Sequence, residues 1–532
     1  MSSQFLSSFY ERLCSRISLS TPELRLELRE YKIGRRARAC NARLAPKAYS
    51  PLPFGISYVL DRTNLIATGT ISDLRHPFSR ARGISPGTQV IRTHYLGIEM
   101  IHTLSHLDAK HVLTTGFQKW GKSPDAVEGF QPLLGDGVFS SDQRGLWSWH
   151  RSLIRPHFTR KRVSDLDASE EHIHRVVKWL KNKTEVDEGA DIQDGKSFIS
   201  NFYTFFSRFT LTSSSQHLFG KCLDMLNDLT ADRPAEDDLI DAARFSQALQ
   251  DATMDAMKSS LLPSLLRRAI HAVTMPNKSI KIVTEMVDKL LSCDQGNTDG
   301  GEGQEINLVE SLRQSGCSPE MLRFELLNVL IAARDTTASL LTSCIYELAG
   351  RDELWKRLQM EAAEISTAAG VSLEDLSKLK LLRAVLNETL RLHPPLWTST
   401  RHAYEDDVLP SGIFVPAGTD IQYYMHAFHR DRKLWGENAD DFVPGRWLEG
   451  SQTEKSRDPS AFQPFSAGPR ICIGQQSALS EASLVLLRLI QSFSGAELVG
   501  PSACKDSIQE APTLVLSYRG GLWAKFHKLK EG

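Results

Sequence analysis

The chain has 532 residues, a hydrophobic share of 41% and a formal net charge of −1. This length accommodates one large domain or two of average size, and the composition is that of a globular protein. The balanced charge excludes a general attraction to nucleic acid. The eight cysteines form no C-x-x-C pair. This excludes a clustered zinc site and, without a secretory apolar segment, indicates an intracellular protein.

The first 50 residues form a basic leader before a domain that we expect to span residues 51–532. No transmembrane helix is expected in the leader, because charged side chains interrupt it well before about 20 apolar residues follow one another. Two interpretations remain open: a flexible solvated segment, or a segment that rests on an anionic membrane surface such as that of the endoplasmic reticulum. Its basic residues include Lys32, Arg35, Arg36, Arg38, Arg43 and Lys47.

Short strands are predicted next, in the run TQVIRTHYLGIEMIHTL (88–104), which is rich in β-branched and aromatic residues. From about residue 106 to 395 the apolar residues recur mostly with helical periodicity. The acidic, glycine-rich stretch 294–305 predicts a surface loop between two helices.

The longest predicted helix begins after Ser318, has Pro319 in its first turn and ends near Gly350. It is apolar on nearly all sides and is therefore expected to run through the core. Strands and turns follow, and a last amphipathic helix lies near the C-terminus. The predicted fold class is mainly α with a smaller β part, in a single large domain.

The segment FSAGPRICIG, which begins at Phe465, places Cys472 just before the last helix. Such a cysteine is either a structural thiol or a metal ligand. The helix N-terminus and the charge of Arg470 favour the thiolate, and Gly468 and Gly474 leave room for a flat partner because they lack a Cβ. An electron-rich thiolate in such a loop suits the axial position of a haem iron. The full spacing F-x-x-G-x-R-x-C-x-G favours the ligand.

This segment resembles the haem-binding loop of the cytochrome P450 family. The resemblance covers roughly residues 50–532 and implies a cytochrome P450 fold, with haem b between the long central helix and the cysteine loop. It also implies that Cys472 is the iron ligand and that Phe465 and Arg470 contact the cofactor. The chain looks most like the fungal branch that contains alkane and fatty-acid ω-hydroxylases.

Two further motifs match the family in the expected order. NETLRLHPP supplies Glu388 and Arg391 on one helix face, and FVPGRW supplies Arg446. By itself an E-x-x-R spacing indicates only a surface ion pair, whereas the resemblance implies a buried structural cluster of the three residues. GLWSWHR supplies Trp147 and Arg151. Alone this pattern indicates an amphipathic helix, and the resemblance implies that both side chains bind the haem propionates.

The long helix contains AARDTT, with Asp335 followed by Thr336. An acid and an alcohol in an apolar helix compete for backbone hydrogen bonds, so a tolerated kink is the simple interpretation. The resemblance implies catalytic roles: Thr336 holds dioxygen over the distal face of the haem, while Asp335 and ordered water relay protons. The chain departs from the family pattern at Ala333, where glycine is common, and the added methyl is expected to alter coupling without abolishing activity.

The resemblance implies a haem-thiolate monooxygenase that inserts one oxygen atom of O2 into a C–H bond of an apolar substrate. Because the chain has no G-x-G-x-x-G segment, its electrons are expected from a separate NADPH-cytochrome P450 reductase. The substrate is either a fatty acid or alkane, or a secondary metabolite such as a terpenoid or polyketide, since the fold does not decide it. The alternatives are a haem-thiolate isomerase or dehydratase without O2 activation, and a non-catalytic scaffold. The intact Asp335–Thr336 pair argues against the isomerase.

Overall fold

The computed structural model describes most of the chain after residue 21. The described residues are 22–48, 85, 87–95, 98–142, 144–163, 166–185, 201–219, 223–226, 242–262, 264, 267–269, 277–293, 307–366, 370–450 and 458–529. The loop predicted at 294–305 lies outside them.

Helices make up most of the described structure. The longer ones are α1 (Pro22–Ala39), α2 (His106–Leu113), α3 (Pro124–Leu134), α4 (Arg144–Ile154), α5 (Asp167–Glu185), α6 (Phe202–Phe219), α7 (Ala242–Ser260), α8 (Lys278–Cys293), α9 (Leu308–Gln314), α10 (Pro319–Leu348), α11 (Asp352–Ala362), α12 (Leu373–Lys378), α13 (Lys380–Leu392) and α14 (Gln475–Ser492). None of the described helices combines the length and hydropathy that a bilayer crossing requires.

The strands form one five-stranded sheet and three two-stranded sheets. They are β1 (Val90–Tyr95), β2 (Ile98–Thr103), β3 (Trp120–Gly121), β4 (Ser399–Ala403), β5 (Asp407–Val408), β6 (Phe414–Val415), β7 (Asp420–Tyr423), β8 (Phe493–Leu498), β9 (Glu510–Pro512), β10 (Leu516–Tyr518) and β11 (Ala524–Lys528). The larger sheet has the order β1-β2-β7-β4-β3. Only its β2–β7 pair is parallel, and the small sheets are the antiparallel pairs β5–β6, β8–β11 and β9–β10.

The predicted long helix is confirmed as α10. Ser318 caps its first turn by accepting a hydrogen bond from the backbone N–H of Met321, and Pro319 occupies the first helical position, where its missing N–H costs nothing. Gly350, just past the other end, has a φ of +74°, which glycine adopts without strain. Side chains on all faces of α10 are buried, so the helix runs through the core as its composition predicted.

Two apolar clusters enclose α10. One surrounds its C-terminal half and draws side chains from α5, α6, α11, α13 and α14. The other surrounds its N-terminal half and draws side chains from α3, α7, α8 and α9. Because α10 contributes to both, it joins the two halves of the helical part into one core.

The described part of the basic leader is folded onto the sheet. α1 buries Ile33 and Ala37 against Phe414 of β6. Arg92 of β1 donates to both carboxylate oxygens of Glu30 at 2.9 Å. The interpretation as a flexible segment is therefore wrong for the described leader residues, because their apolar side chains are packed. Contact with a membrane surface stays a prediction.

The predicted cluster of Glu388, Arg391 and Arg446 is confirmed and is completely buried at its centre. Glu388 and Arg391 both have an exposure of 0%. Arg391 donates to the two Glu388 oxygens at 2.8 and 2.9 Å, and Arg446 donates to Glu388 at 3.1 Å. Trp447 and the backbone N–H of Val443 donate to the same carboxylate. Since removing one partner of such a buried pair costs about 3–5 kcal/mol, this carboxylate holds the 443–447 segment to α13.

Candidate active site of a haem protein

The cysteine loop is a chain of tight turns that ends at the start of α14. The backbone N–H of Cys472 donates to the carbonyl of Phe465 at 3.0 Å, and Ile471 N–H donates to the carbonyl of Gly468 at 3.0 Å. A short 3-10 helix spans Gly468–Arg470. The loop therefore folds back on itself, and these two backbone hydrogen bonds fix the position of Cys472.

Gly468 is required by its neighbours in the protein. Its φ of +69° lies in the left-handed region, and a Cβ at this position would approach the carbonyl oxygen of Leu113 to 1.9 Å. The sequence-based explanation, that Gly468 leaves room for a flat partner, is wrong for this residue. The glycine instead lets the loop lie directly on the C-terminal end of α2.

Cys472 is exposed, yet the surrounding protein raises the pKa of its thiol by desolvation. Both observations hold if the sulfur lies on the wall of a concavity. The N–H of Gly474 and the charge of Arg151 oppose this rise in pKa without overcoming it. The charge that favours the thiolate is thus that of Arg151 and not that of Arg470, and burial outweighs it. A bound metal ion is what deprotonates a coordinating thiol.

Trp147 lies between two arginines beside this loop. The guanidinium carbon of Arg470 is 4.4 Å from the centre of the Trp147 ring, and that of Arg151 is 5.8 Å away. Arg151 also donates to the carbonyl of Ile471 at 2.9 Å. The residues predicted from two distant motifs therefore meet, with α4 supplying Trp147 and Arg151 and the cysteine loop supplying Arg470.

Several basic side chains lie close together around Trp147 and Arg470. Burial lowers the pKa of Lys122 well below its ordinary value, and the nearby charges of Arg470 and Arg401 lower it further. Within the described part of the chain, Asp142 is the carboxylate that acts on Lys122 in the opposite direction, and it lies 3.9 Å from Arg470. A dianionic ligand would suit this group of basic side chains, because opposite charge stabilises charges that are buried.

These residues fit haem. The two propionates of haem would pair with these basic side chains, and Cys472 of the adjoining loop would supply a sulfur donor. When bound, a thiolate-ligated haem iron supplies the electron density that favours cleavage of the O–O bond.

The segment LLGDGVFSSD joins α10 to the cysteine loop. Asn328 of α10 donates to the carbonyl of Leu134 and accepts from the N–H of Phe139, both at 2.9 Å. At the other end of the segment, the carbonyl of Ser141 accepts from Arg470 at 3.2 Å. The segment thus fixes the position of Arg470 relative to the long helix.

The predicted acid and alcohol form a second group, in the middle of α10. The hydroxyl of Thr336 donates to the carbonyl of Ala332 at 2.7 Å, and Thr210 of α6 donates to the carbonyl of Arg334 at 2.9 Å. These hydroxyls take up backbone acceptors within the helix. Asp335 is buried, with Arg334 Nη1 3.3 Å from its Oδ1. Burial raises the pKa of Asp335, while the Arg334 charge opposes this rise.

Comparison with known proteins identifies the family. The family model of cytochrome P450 matches residues 70–516. Cytochrome P450 52A3-A of Candida maltosa is 31% identical over 84% of this chain and 84% of its own length. Cytochrome P450 monooxygenase himC of Aspergillus japonicus is 34% identical over 78% of this chain and 71% of its own length. Cytochrome P450 monooxygenase FPY7 of Fusarium mangiferae is 31% identical, with shares of 81% and 80%.

The chain belongs to the cytochrome P450 family. It is a haem-thiolate monooxygenase of fungal type, with O2, an apolar substrate and a partner reductase. The family, the mainly helical fold, the enzyme class and the cofactor that the sequence predicted are confirmed. The alternative of an isomerase without O2 activation gains no support from these relatives.

Sequence reasoning missed Lys122 and Tyr203. Lys122 belongs to the cationic group around Trp147, but it follows strand β3 in a stretch with no P450 motif. Tyr203 contacts Asp335, yet its aromatic surroundings in α6 predict an ordinary core residue. The residues next to Lys122 and Tyr203 in the sequence do not indicate a role for either, because both contact residues that are far away in the P450 sequence.

Replacing Gly468 by alanine is expected to destabilise the haem-loaded protein by about 2 kcal/mol or more. A non-glycine residue in the left-handed region costs roughly 1–2 kcal/mol, and the new Cβ would overlap the Leu113 carbonyl. Urea unfolding and the haem-to-protein absorbance ratio measure the effect. Gly445→Ala is the matched control, because a Cβ there meets nothing within 4 Å. Equal unfolding midpoints for the two variants would contradict this explanation.

Proposed function

We propose that Cys472 is the axial thiolate of this monooxygenase and that Trp147, Arg151, Phe465 and Arg470 hold haem b around it. The observation that carries the proposal is that the guanidinium groups of Arg151 and Arg470 both lie over Trp147, directly beside the cysteine loop. Arg151 and Arg470 bind the propionates through charge-assisted hydrogen bonds, and the indole N–H of Trp147 adds a further donor.

We also propose that Asp335 and Thr336 serve the oxygen chemistry. The carboxyl group of Asp335 has a pKa raised by burial, which brings it closer to neutral pH, where a group both takes up and releases protons efficiently. Thr336 directs its own proton to the Ala332 carbonyl, so its oxygen is free to accept a hydrogen bond from a neighbouring donor.

Replacing Cys472 by serine tests the iron ligand. The variant is expected to lose the red-shifted Soret band that a reduced, CO-treated thiolate-ligated haem gives, because a serine hydroxyl cannot replace the sulfur electronically. Cys504→Ser, at an exposed cysteine, should keep the band of the parent. If Cys472→Ser retained the thiolate spectrum, another residue would be the ligand.

We infer that electrons come from an NADPH-cytochrome P450 reductase. The sequence has no G-x-G-x-x-G segment to bind a dinucleotide, so the chain needs a separate electron donor. The substrate is an apolar molecule of one of two classes: a fatty acid or alkane, or a secondary metabolite such as a terpenoid or polyketide.

A screen for type I spectral shifts with fatty acids, alkanes and terpenoids tests the substrate class. At least one class is expected to displace water from the haem pocket and to yield a product with one added oxygen atom. Formation of that product should require NADPH and the reductase together. Turnover of an organic peroxide at the same rate without NADPH would instead favour the isomerase.

We further propose that α1 contacts an anionic membrane surface. Lys32, Arg38 and Arg43 are exposed, and each basic residue near such a surface contributes about 1 kcal/mol of binding. Lys32 and Arg38 lie on α1 and Arg43 follows it, so all three belong to a packed part of the leader.

Reversing two of these charges in Lys32→Glu/Arg38→Glu should weaken binding to phosphatidylserine-containing vesicles at least about 30-fold, the equivalent of about 2 kcal/mol. Cosedimentation at low salt measures the change. Lys281→Glu/Lys356→Glu, two exposed lysines on other helices, is the matched control. Equal loss of binding in both double variants would mean that net charge, and not α1, determines the contact.

A further inference from the structure

A polar cavity of about 110 Å³ lies beside the middle of α10. Its described wall includes residues at the start of α6, on α7 and on the β9–β10 hairpin, and its polar side chains include Asn201, Tyr203, Gln250, Thr253 and Asp335. One water molecule needs roughly 10–15 Å³ of such space and several polar partners. The cavity therefore has room and hydrogen-bonding groups for several water molecules next to the acid of α10.

Tyr203 is the cavity residue that orients this acid. Tyr203 and Asp335 line the same cavity, and the hydroxyl of Tyr203 acts on the Asp335 carboxyl group as a hydrogen-bond donor that lowers its pKa. Arg334 Nη1 lies 3.3 Å from Asp335 Oδ1, but neither atom has a hydrogen-bond partner among the described residues. Arg334 thus contributes positive charge without fixing the orientation of the Asp335 carboxylate. The hydroxyl of Tyr203 fixes that orientation without adding charge.

The proton of Tyr203 stays on the phenol. Burial raises the pKa of Tyr203 above its ordinary value, and the negative charge of Asp335 raises it further. Tyr203 therefore keeps its proton near neutral pH and does not release it to Asp335. Protons must reach Asp335 from elsewhere, and the adjoining cavity offers the water to supply them.

We propose that Tyr203 is a positioning residue that holds the Asp335 carboxylate at the wall of this cavity, where it takes a proton from cavity water and passes it to the oxygen chemistry. This inference rests on the proposed role of Asp335. One proton moves from water to the carboxylate and from the carboxyl group onward, while the phenol keeps its own proton throughout.

Tyr203→Phe tests the proposal in the haem-loaded full-length enzyme with its reductase. Loss of one hydrogen bond to a charged group should slow product formation on the order of tenfold. The share of NADPH electrons that leaves as hydrogen peroxide should rise, while the reduced-CO spectrum stays that of the parent. If Tyr203 had a merely structural role, its replacement would not change the share of electrons that leaves as hydrogen peroxide while the spectrum stays unchanged.

A second readout does not depend on turnover. The infrared band of the protonated Asp335 carboxyl group is identified by its absence in Asp335→Asn. Because Tyr203 stabilises the charged form of this carboxyl group, Tyr203→Phe should shift the titration of the band to higher pH. The charged group that faces Asp335 is Arg334, which both proteins retain, so the shift reports the lost hydroxyl.

Tyr518→Phe is the matched control. Tyr518 is a second tyrosine on the cavity wall, and its hydroxyl donates to Ser343 at 3.0 Å instead of to Asp335. This variant should leave the Asp335 band where it is in the parent. If Tyr203→Phe does not accumulate, Tyr203→Met removes the same hydroxyl and takes its place.

The outcomes separate the inference from the function on which it rests. An unchanged band and peroxide share in Tyr203→Phe, together with strong effects of Asp335→Asn, overturn the positioning role and leave the proposed role of Asp335 intact. If Asp335→Asn has parental coupling, the proposed role of Asp335 fails and the inference fails with it. An equal shift in Tyr518→Phe also overturns the inference, because any lost cavity hydroxyl would then suffice.

Discussion

The arrangement of the site depends on several basic side chains held close to one indole ring. Arg151 and Arg470 lie over Trp147, and Lys122 carries a pKa lowered by burial and by its cationic neighbours. Such a group is unfavourable in a protein interior unless an anion joins it. The two carboxylates of haem would add opposite charge to this group, and cofactor binding is expected to contribute to folding stability by mass action. Cys472 then adds a sulfur donor next to basic side chains that are already in place.

Much of this architecture could be predicted from the sequence because local rules decide it. Ser318, Pro319 and Gly350 mark the ends of the long helix by capping chemistry, and these boundaries agree with the structure. The Glu388 cluster could be predicted from motif spacing together with family resemblance. A buried carboxylate tolerates few alternatives once two arginines, an indole and a backbone N–H all converge on it. The family and its cofactor followed from the cysteine loop and the motifs that match it.

Other features could not be predicted, because they arise from contacts between distant segments or from burial. The spacing around Cys472 suggested a thiolate stabilised by Arg470, whereas desolvation dominates and the opposing charge is that of Arg151. Gly468 was explained by room for a partner, but its neighbour is the carbonyl of Leu113. Helical periodicity places Tyr203 in the core and gives no sign that its hydroxyl points to an acid on another helix. A pattern in the sequence identifies which residues are special, while tertiary packing decides what each one does.

The packing of α1 on the sheet determines how far the basic leader can move relative to the catalytic domain. Backbone bridges from Arg43 to Ile413 and from Lys47 to Arg92, with the ion pair between Arg36 and Asp406, attach this helix to the sheet. A flexible leader would act as a tether, about which the catalytic domain could tumble. A helix fixed at several points moves together with the domain. Any surface that binds α1 therefore also sets the direction in which the whole domain faces.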